Sequence, residues 1–146
     1  MTSLYNSEGY FSPTEYEALK RVEREERAAE KSAAFRPIVY ICSPYSHGCI
    51  NTNIENARKY SRFAVDKHYL PITPHIYFTQ FMDDTVSEER ETAVFMNFVL
   101  MSKCVELWVF GDTISAGMKA EIERAERKHM KIRYFTEELE ENKCEI

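Results

Sequence analysis

The chain reads as an α/β protein built on a small parallel sheet, and three observations carry that reading. Two apolar runs of strand length, IVYIC at 38–42 and VELWVF at 105–110, have the near-continuous hydrophobic character of strands covered on both faces. Longer stretches with apolar residues at helical spacing lie between and after them. The resulting order, strand–helix–strand–helix–strand–helix–strand, makes a parallel sheet with crossover helices the natural architecture. About four strands then give a Rossmann-like (flavodoxin-like) three-layer domain, preceded by an accessory helix.

Residues 1–12 hold Gly, Ser, Asn and aromatics without a period and read as a tail or docking arm. The spacing predicts a helix over 13–34. Ser12 is placed to cap it, Pro13 suits the first position, and Glu15 suits the acidic first turn. Glu17/Arg21 and Glu23/Arg27 are i, i+4 pairs with the acid first, each contributing a few tenths of a kcal/mol. The apolar stripe of Tyr16, Leu19 and Val22 is thin, so this helix is set apart as an extension, residues 1–35. The main domain is expected at 36–136 and an acidic tail at 137–146.

Arg36-Pro37 leads into the first strand, followed by SPYSHGCINTN, a loop rich in turn formers. A helix is expected from about Asn53 to Lys67, with Ile54, Ala57, Ala64 and Val65 on one face. YLPITPH, 69–75, is a short second strand whose prolines favour an edge. The aromatic stretch 76–84 is expected to be a loop. Thr85 and Glu88 have capping-box spacing, which starts a helix running to about Lys103. Its second half, AVFMNFVLMSKC, is apolar almost all round. One sheet face cannot cover such a helix, so the 93–101 face is expected to meet another copy of the chain. After the central strand, a polar loop at 111–117 leads to a helix from about Met118 to His129, and KIRYF, 131–135, is the last strand.

Composition narrows the function classes. Of 146 residues, 44% are hydrophobic and 29% charged, and the net charge of −5 comes without a basic stripe, which argues against a nucleic-acid surface. No apolar run reaches the roughly 20 residues a membrane span needs. A cytoplasmic protein without membrane attachment is expected. The cysteines, Cys42, Cys49, Cys104 and Cys144, form no C-x-x-C pair and read as reduced thiols, with Cys49 and His47 a poor basis for a metal site. Neither a G-x-G-x-x-G nor a Walker loop is present, so neither metal nor cofactor is called for.

The chemistry-bearing residues gather where ligands bind in such folds, beyond the carboxyl ends of the strands. Glu121 enters in the first turns of the helix that follows the 111–117 loop, and the helix dipole is expected to keep it ionised. Asp112, Asp83 and Asp84 are candidate partner acids, and His75 is a candidate for contact with a base or phosphate. Tyr45, Tyr77, Phe78 and Phe81 are candidates to stack a nucleobase, while Ser43, Ser46 and Asn53 suit a phosphate at a helix N-terminus. Each has a plainer reading. Glu121 with Glu123, Arg124 and Glu126 also fits a solvated face, His75 a structural histidine, and Tyr40 and the 76–81 aromatics packing. Asn97 fits either a subunit contact or the site.

At VYICSPYS, PHIYFTQFMDD and ELWVFGDTISAGMKAEI the chain resembles the nucleoside 2-deoxyribosyltransferase superfamily, which includes the 2'-deoxynucleoside 5'-monophosphate N-glycosidases. The likeness is greatest to a compact bacterial and phage branch and covers about 36–136. By position it implies that Glu121 is the nucleophile on the anomeric carbon, that Tyr40 stands beside it, and that Gly117 allows close ligand approach. Ser115 stands where the transferases tend to have an aspartate and the monophosphate glycosidases a serine, which turns the expectation towards nucleotides. With the neighbouring Met118, these complete the expected site: Glu121, Tyr40 and Asp112 as catalytic residues; Ser43, Tyr45, Ser46, His75, Phe78, Ser115, Gly117 and Met118 as substrate contacts.

The resemblance implies a hydrolase or deoxyribosyltransferase acting on a small nucleoside or nucleotide, in a family that often builds its site at subunit contacts. A non-catalytic binder of a nucleotide or ADP-ribose-like ligand is the alternative, motivated by the insecure second acid. A structural role in oligomers is the third reading.

Overall fold

The structure, a computed structural model, describes residues 13–142. The tail before residue 13, with the expected cap Ser12, and residues 143–146, with Cys144, lie outside the described residues. The chain divides into two units, Met1–Phe35 and Arg36–Ile146. In the first, α1 spans Pro13–Ala34, with Glu15 in its first turn and Lys31 in its last, matching the helix dipole at both ends. Lys20 and Glu23 pair across one turn at 3.6 Å.

The second unit is a three-layer α/β domain. Its elements are β1 (Ile38–Cys42), α2 (Ile50–Asp66), β2 (Leu70–Ile72), α3 (Pro74–Phe78), α4 (Ser87–Met101), β3 (Glu106–Phe110), α5 (Ala116–Arg127), β4 (Lys131–Phe135) and β5 (Glu141–Asn142). The sheet order is β2-β1-β3-β4-β5. The first four strands are parallel, with Tyr40 opposite Ile72 on one side and Leu107 on the other. The strand β5 adds an antiparallel edge where an acidic tail was expected. Two polar residues carry no periodic signal. What holds them is pairing with β4 and the two-bond Arg133–Glu141 ion pair, at 2.9 and 2.7 Å.

Alternation along the two central strands builds both core layers. Tyr40, Cys42, Leu107 and Val109 face Met101 of α4 and Met118 and Ala125 of α5. Val39, Ile41, Trp108 and Phe110 face Tyr60 and Ala64 of α2, with Phe135 beside them. This second layer is a ring cluster: Tyr60 stacks on Phe110 at 4.2 Å, and Tyr69 meets Trp108 edge-on at 4.7 Å. The near-continuous hydrophobicity of β1 and β3 follows from service to both layers. Arg36 ties the start of β1 to the end of α2 by donating to the carbonyls of Val65 and Tyr69.

Three local expectations are corrected. Residues 74–78 form a short helix begun by Pro74, where the end of the second strand and the start of a loop were expected. The helix α2 starts at Ile50, three residues early, with Cys49 at the cap position and no side-chain cap. The Thr85/Glu88 capping box does not form, because the Thr85 hydroxyl donates to Asp83 Oδ1 at 2.5 Å and Val86 occupies the cap of α4. Among the described residues no helix is long and apolar enough to cross a membrane.

Candidate functional site

Parallel pairing places the carboxyl ends of β1, β2 and β3 at one edge of the sheet, so the segments leaving them converge there. They enclose a cavity of about 670 Å³. Ser43, Tyr45 and Ser46 come from the loop after β1, His75 and Phe78 from α3, and Ser115, Gly117, Met118 and Glu121 from the start of α5. The face of α4 supplies Arg90, Ala93, Val94, Asn97 and Phe98, and Asp84 enters just before it. Tyr40 lies buried in the sheet, outside the cavity lining, and joins the site through the bond of its hydroxyl to the lining residue Glu121.

One polar pair joins the cavity lining to the sheet. Tyr40 Oη donates to Glu121 Oε1 at 3.1 Å. Burial pushes the Glu121 carboxyl up to about 7, while hydrogen bonds from Cys42 and Tyr40 oppose that rise. This corrects the expectation of a carboxylate held ionised by the helix dipole. Glu121 is six residues past the Ser115 cap, beyond the first turn where the dipole is felt, and desolvation outweighs the rest. Burial, followed by the charge of Glu121, raises the Tyr40 hydroxyl and the Cys42 thiol well above their ordinary values. Both therefore stay protonated and act as donors. Cys42 Sγ also lies 3.9 Å from the Met118 carbonyl.

A second polar pair lines the same cavity. His75 Nε2 and Ser43 Oγ are 3.1 Å apart, with the direction of the bond set by the imidazole tautomer. Burial lowers His75 to about 4, so the ring is neutral at pH 7. Its backbone carbonyl accepts the Thr79 hydroxyl at 2.5 Å, and the Tyr45 ring lies 6.1 Å away, tilted.

At the entrance to α5, Ser115 is the helix cap and accepts the Met118 N–H at 3.3 Å. That leaves its hydroxyl hydrogen to give to a ligand oxygen. A Cβ on Gly117 would meet open space, so this glycine widens the cavity rather than relieving a protein clash.

Other candidates are placed differently. Asp112 is exposed and does not line the cavity, because it follows Gly111 in the turn leaving β3. The second carboxylate on the cavity is that of Asp84. Arg90 holds this residue by donating to its backbone carbonyl at 3.1 and 3.2 Å, with Nε 3.9 Å from Oδ1. Asp83 is exposed and occupied with Thr85. Asn53 donates to the carbonyls of Tyr45 and His47, both at 2.7 Å, so it fixes the loop instead of contacting a phosphate. Tyr77 and Phe81 are exposed and outside the cavity lining, which leaves Tyr45 and Phe78 as its rings from that set. Arg90 had no signal in the sequence beyond being a charge on a helix. Among the described residues no group of three or more His, Cys, Asp or Glu is arranged to hold a metal ion.

The chain belongs to the family described as a domain of unknown function, DUF7768, whose model matches residues 37–135. No curated protein matches it. Among solved structures it is similar to a 2-deoxyribosyltransferase from the psychrotolerant bacterium Bacillus psychrosaccharolyticus, with 13% identity and a TM-score of 0.56. The match covers 68% of this chain and 72% of the other. At that identity the likeness is one of fold.

Proposed function

We propose that the cavity binds a nucleoside or nucleotide and that Glu121 breaks its N-glycosidic bond, with release of the base to water or exchange for another base. The observation that carries this reading is the Tyr40–Glu121 pair, whose Glu121 lines a cavity large enough for such a ligand. The carboxylate oxygen attacks the anomeric carbon as the bond to the base nitrogen breaks, and the bonding electrons leave with the base. Asp84, ion-paired to Arg90, takes the place expected for Asp112 and holds the water that protonates the departing base. The hydroxide so formed attacks the same carbon, or takes the proton of an incoming base that does so, and the Glu121 carboxylate is freed. The fold likeness to a deoxyribosyltransferase supports the substrate class. The Ser115 hydroxyl hydrogen, free to donate, suits a sugar or phosphate oxygen. We place the reaction in the cytoplasm, where thiols such as the exposed Cys49 stay reduced.

The test is chromatographic detection of free base from a panel of 2'-deoxynucleosides and their 5'-monophosphates, with and without an acceptor base. Glu121→Ala is expected to lower release by about a thousandfold or more while the protein stays folded. No release by the wild type from any member sinks the reading.

One observation favours a second reading, ligand binding without turnover. Asp84 is held by Arg90 and is not hydrogen-bonded to Glu121. That reading expects ligand-induced thermal stabilisation with no products, and unchanged affinity in Glu121→Gln.

A further inference from the structure

The departing base depends on a residue that stands in a loop. Asp84 lies between α3 and α4, and among the described residues Arg90 is the one side chain bonded to it. The bonds are of two kinds. Nε and Nη2 of Arg90 both donate to the Asp84 backbone carbonyl, at 3.2 and 3.1 Å, and Nε also lies 3.9 Å from the carboxylate Oδ1. Backbone and side chain of one residue are thus tied to a single planar group. Glu89 grips the same loop from the neighbouring position, accepting the Asp83 N–H at 2.8 Å. The Arg90 side chain is 61% exposed, so packing does not require an arginine there. An exposed ion pair also contributes little to stability. What the arrangement does fix is the place of Asp84 on the cavity, which Arg90 lines as well.

We propose that Arg90 is the positioning residue for departure of the base: it holds Asp84 so that the water on the Asp84 carboxylate meets the base as the N-glycosidic bond breaks. This inference rests on the N-glycosidic reading of the cavity. As the bonding electrons leave with the base, that water gives a proton to the base nitrogen and becomes hydroxide. The guanidinium beside the carboxylate offsets the negative charge that gathers there. No further reactant is needed, since the hydroxide is then used up on the anomeric carbon or on the proton of an incoming base.

The experiment compares 2'-deoxyguanosine and 2'-deoxyadenosine with their 7-methyl derivatives, subtracting spontaneous release. The methylated bases carry a positive charge in the substrate and leave neutral without a proton, so they do not need the Asp84 water. Wild type, Arg90→Gln, Arg90→Lys, Asp84→Asn and the Arg90→Gln/Asp84→Asn double variant are measured, all checked for folding by thermal melting. kcat/KM covers the steps up to base release, so the later attack by hydroxide does not enter. Arg90→Gln is expected to lower it by about tenfold or more for the unmethylated substrates and by less than about threefold for the methylated ones. Arg90→Lys, which keeps the charge without the fixed fork, should lose rate in the same pattern. Once Asp84→Asn is present, adding Arg90→Gln should cost little more, because it acts through that residue. Equal fractional losses on both kinds of substrate, no loss at all, or losses that multiply in the double variant overturn this assignment and leave the Glu121 reaction standing. No base release by the wild type from any of the four overturns both.

Discussion

Glu121 and His75 share one cavity, and burial shifts both towards their neutral forms. Glu121 moves from 4.5 up to about 7 and His75 from 6.5 down to about 4. For activity, the ionised carboxylate is the nucleophile, so kcat/KM is expected to rise with pH through about 7. Tyr40→Phe removes a donor that favours the ionised form, and the rising limb of the profile should move to higher pH. For stability the two residues oppose one another. The native state holds the Glu121 proton more tightly than the unfolded chain does, so this contribution is full below about 4.5 and is lost as pH rises to about 7. The unfolded chain holds the His75 proton more tightly, so that contribution is full above about 6.5 and is lost as pH falls to about 4. Each is worth about 3 kcal/mol, and over the shared window they largely cancel. Urea unfolding between pH 4.5 and 6.5 should show stability rising with pH in Glu121→Gln and falling with pH in His75→Asn, relative to wild type. Parallel slopes in all three proteins would contradict the assignment. The sequence put both residues beyond the carboxyl ends of the strands as site candidates. It could not indicate their protonation, which depends on how completely water is excluded.

At the scale of elements, α2 and α5 end in the same way. Past the caps Lys67 and Lys128, His68 and His129 adopt positive φ, 69° and 55°. Tyr69 N–H returns to the Ala64 carbonyl and Met130 N–H to that of Ala125, both at 2.9 Å. His68 and His129 donate to Val65 and Glu126. These are Schellman closures with histidine in the place usually taken by glycine. A left-handed residue with a Cβ costs about 1–2 kcal/mol, offset in a glycine variant by about 0.5–1 kcal/mol of extra chain entropy. His68→Gly and His129→Gly are each expected to stabilise by about 0.5–1 kcal/mol, raising the melting temperature by about 2–4 °C. Calorimetry that shows no gain at either site would count against this account. The ends of these helices were legible to within two residues, since apolar periodicity set them at about Lys67 and His129 and the helices end at Asp66 and Arg127. The starts of α2 and α4 were less so, since Cys49 and Val86 at their caps provide no side-chain bond. The five residues of α3 fell below the length at which periodicity separates helix from loop.

At the scale of the whole molecule, the parallel core was legible because β1 and β3 serve two layers and are apolar throughout. The antiparallel β5 was not, since its place depends on a partner strand and an ion pair rather than on its own residues. The same layer argument leaves α4 with more apolar surface than the sheet covers. Phe95 is 67% exposed, Val99 46% and Val94 41%, with Phe95 and Val99 one turn apart on the outer side. Val94 also lines the cavity, so a second copy seated on this side of α4 would wall part of the site. We therefore propose a homo-oligomer joined through α4. Light scattering should give a mass above that of one 17.2 kDa chain, and the melting temperature should rise with protein concentration. Phe95→Glu places a charge where two apolar faces meet and is expected to shift the mass to that of one chain. Base release should fall with it if the neighbouring copy completes the cavity wall. A wild type that stays at the mass of one chain across its soluble range, with a melting temperature independent of concentration, rules out the α4 contact. Base release by that single chain would show that Glu121, Tyr40 and Asp84 need no neighbour.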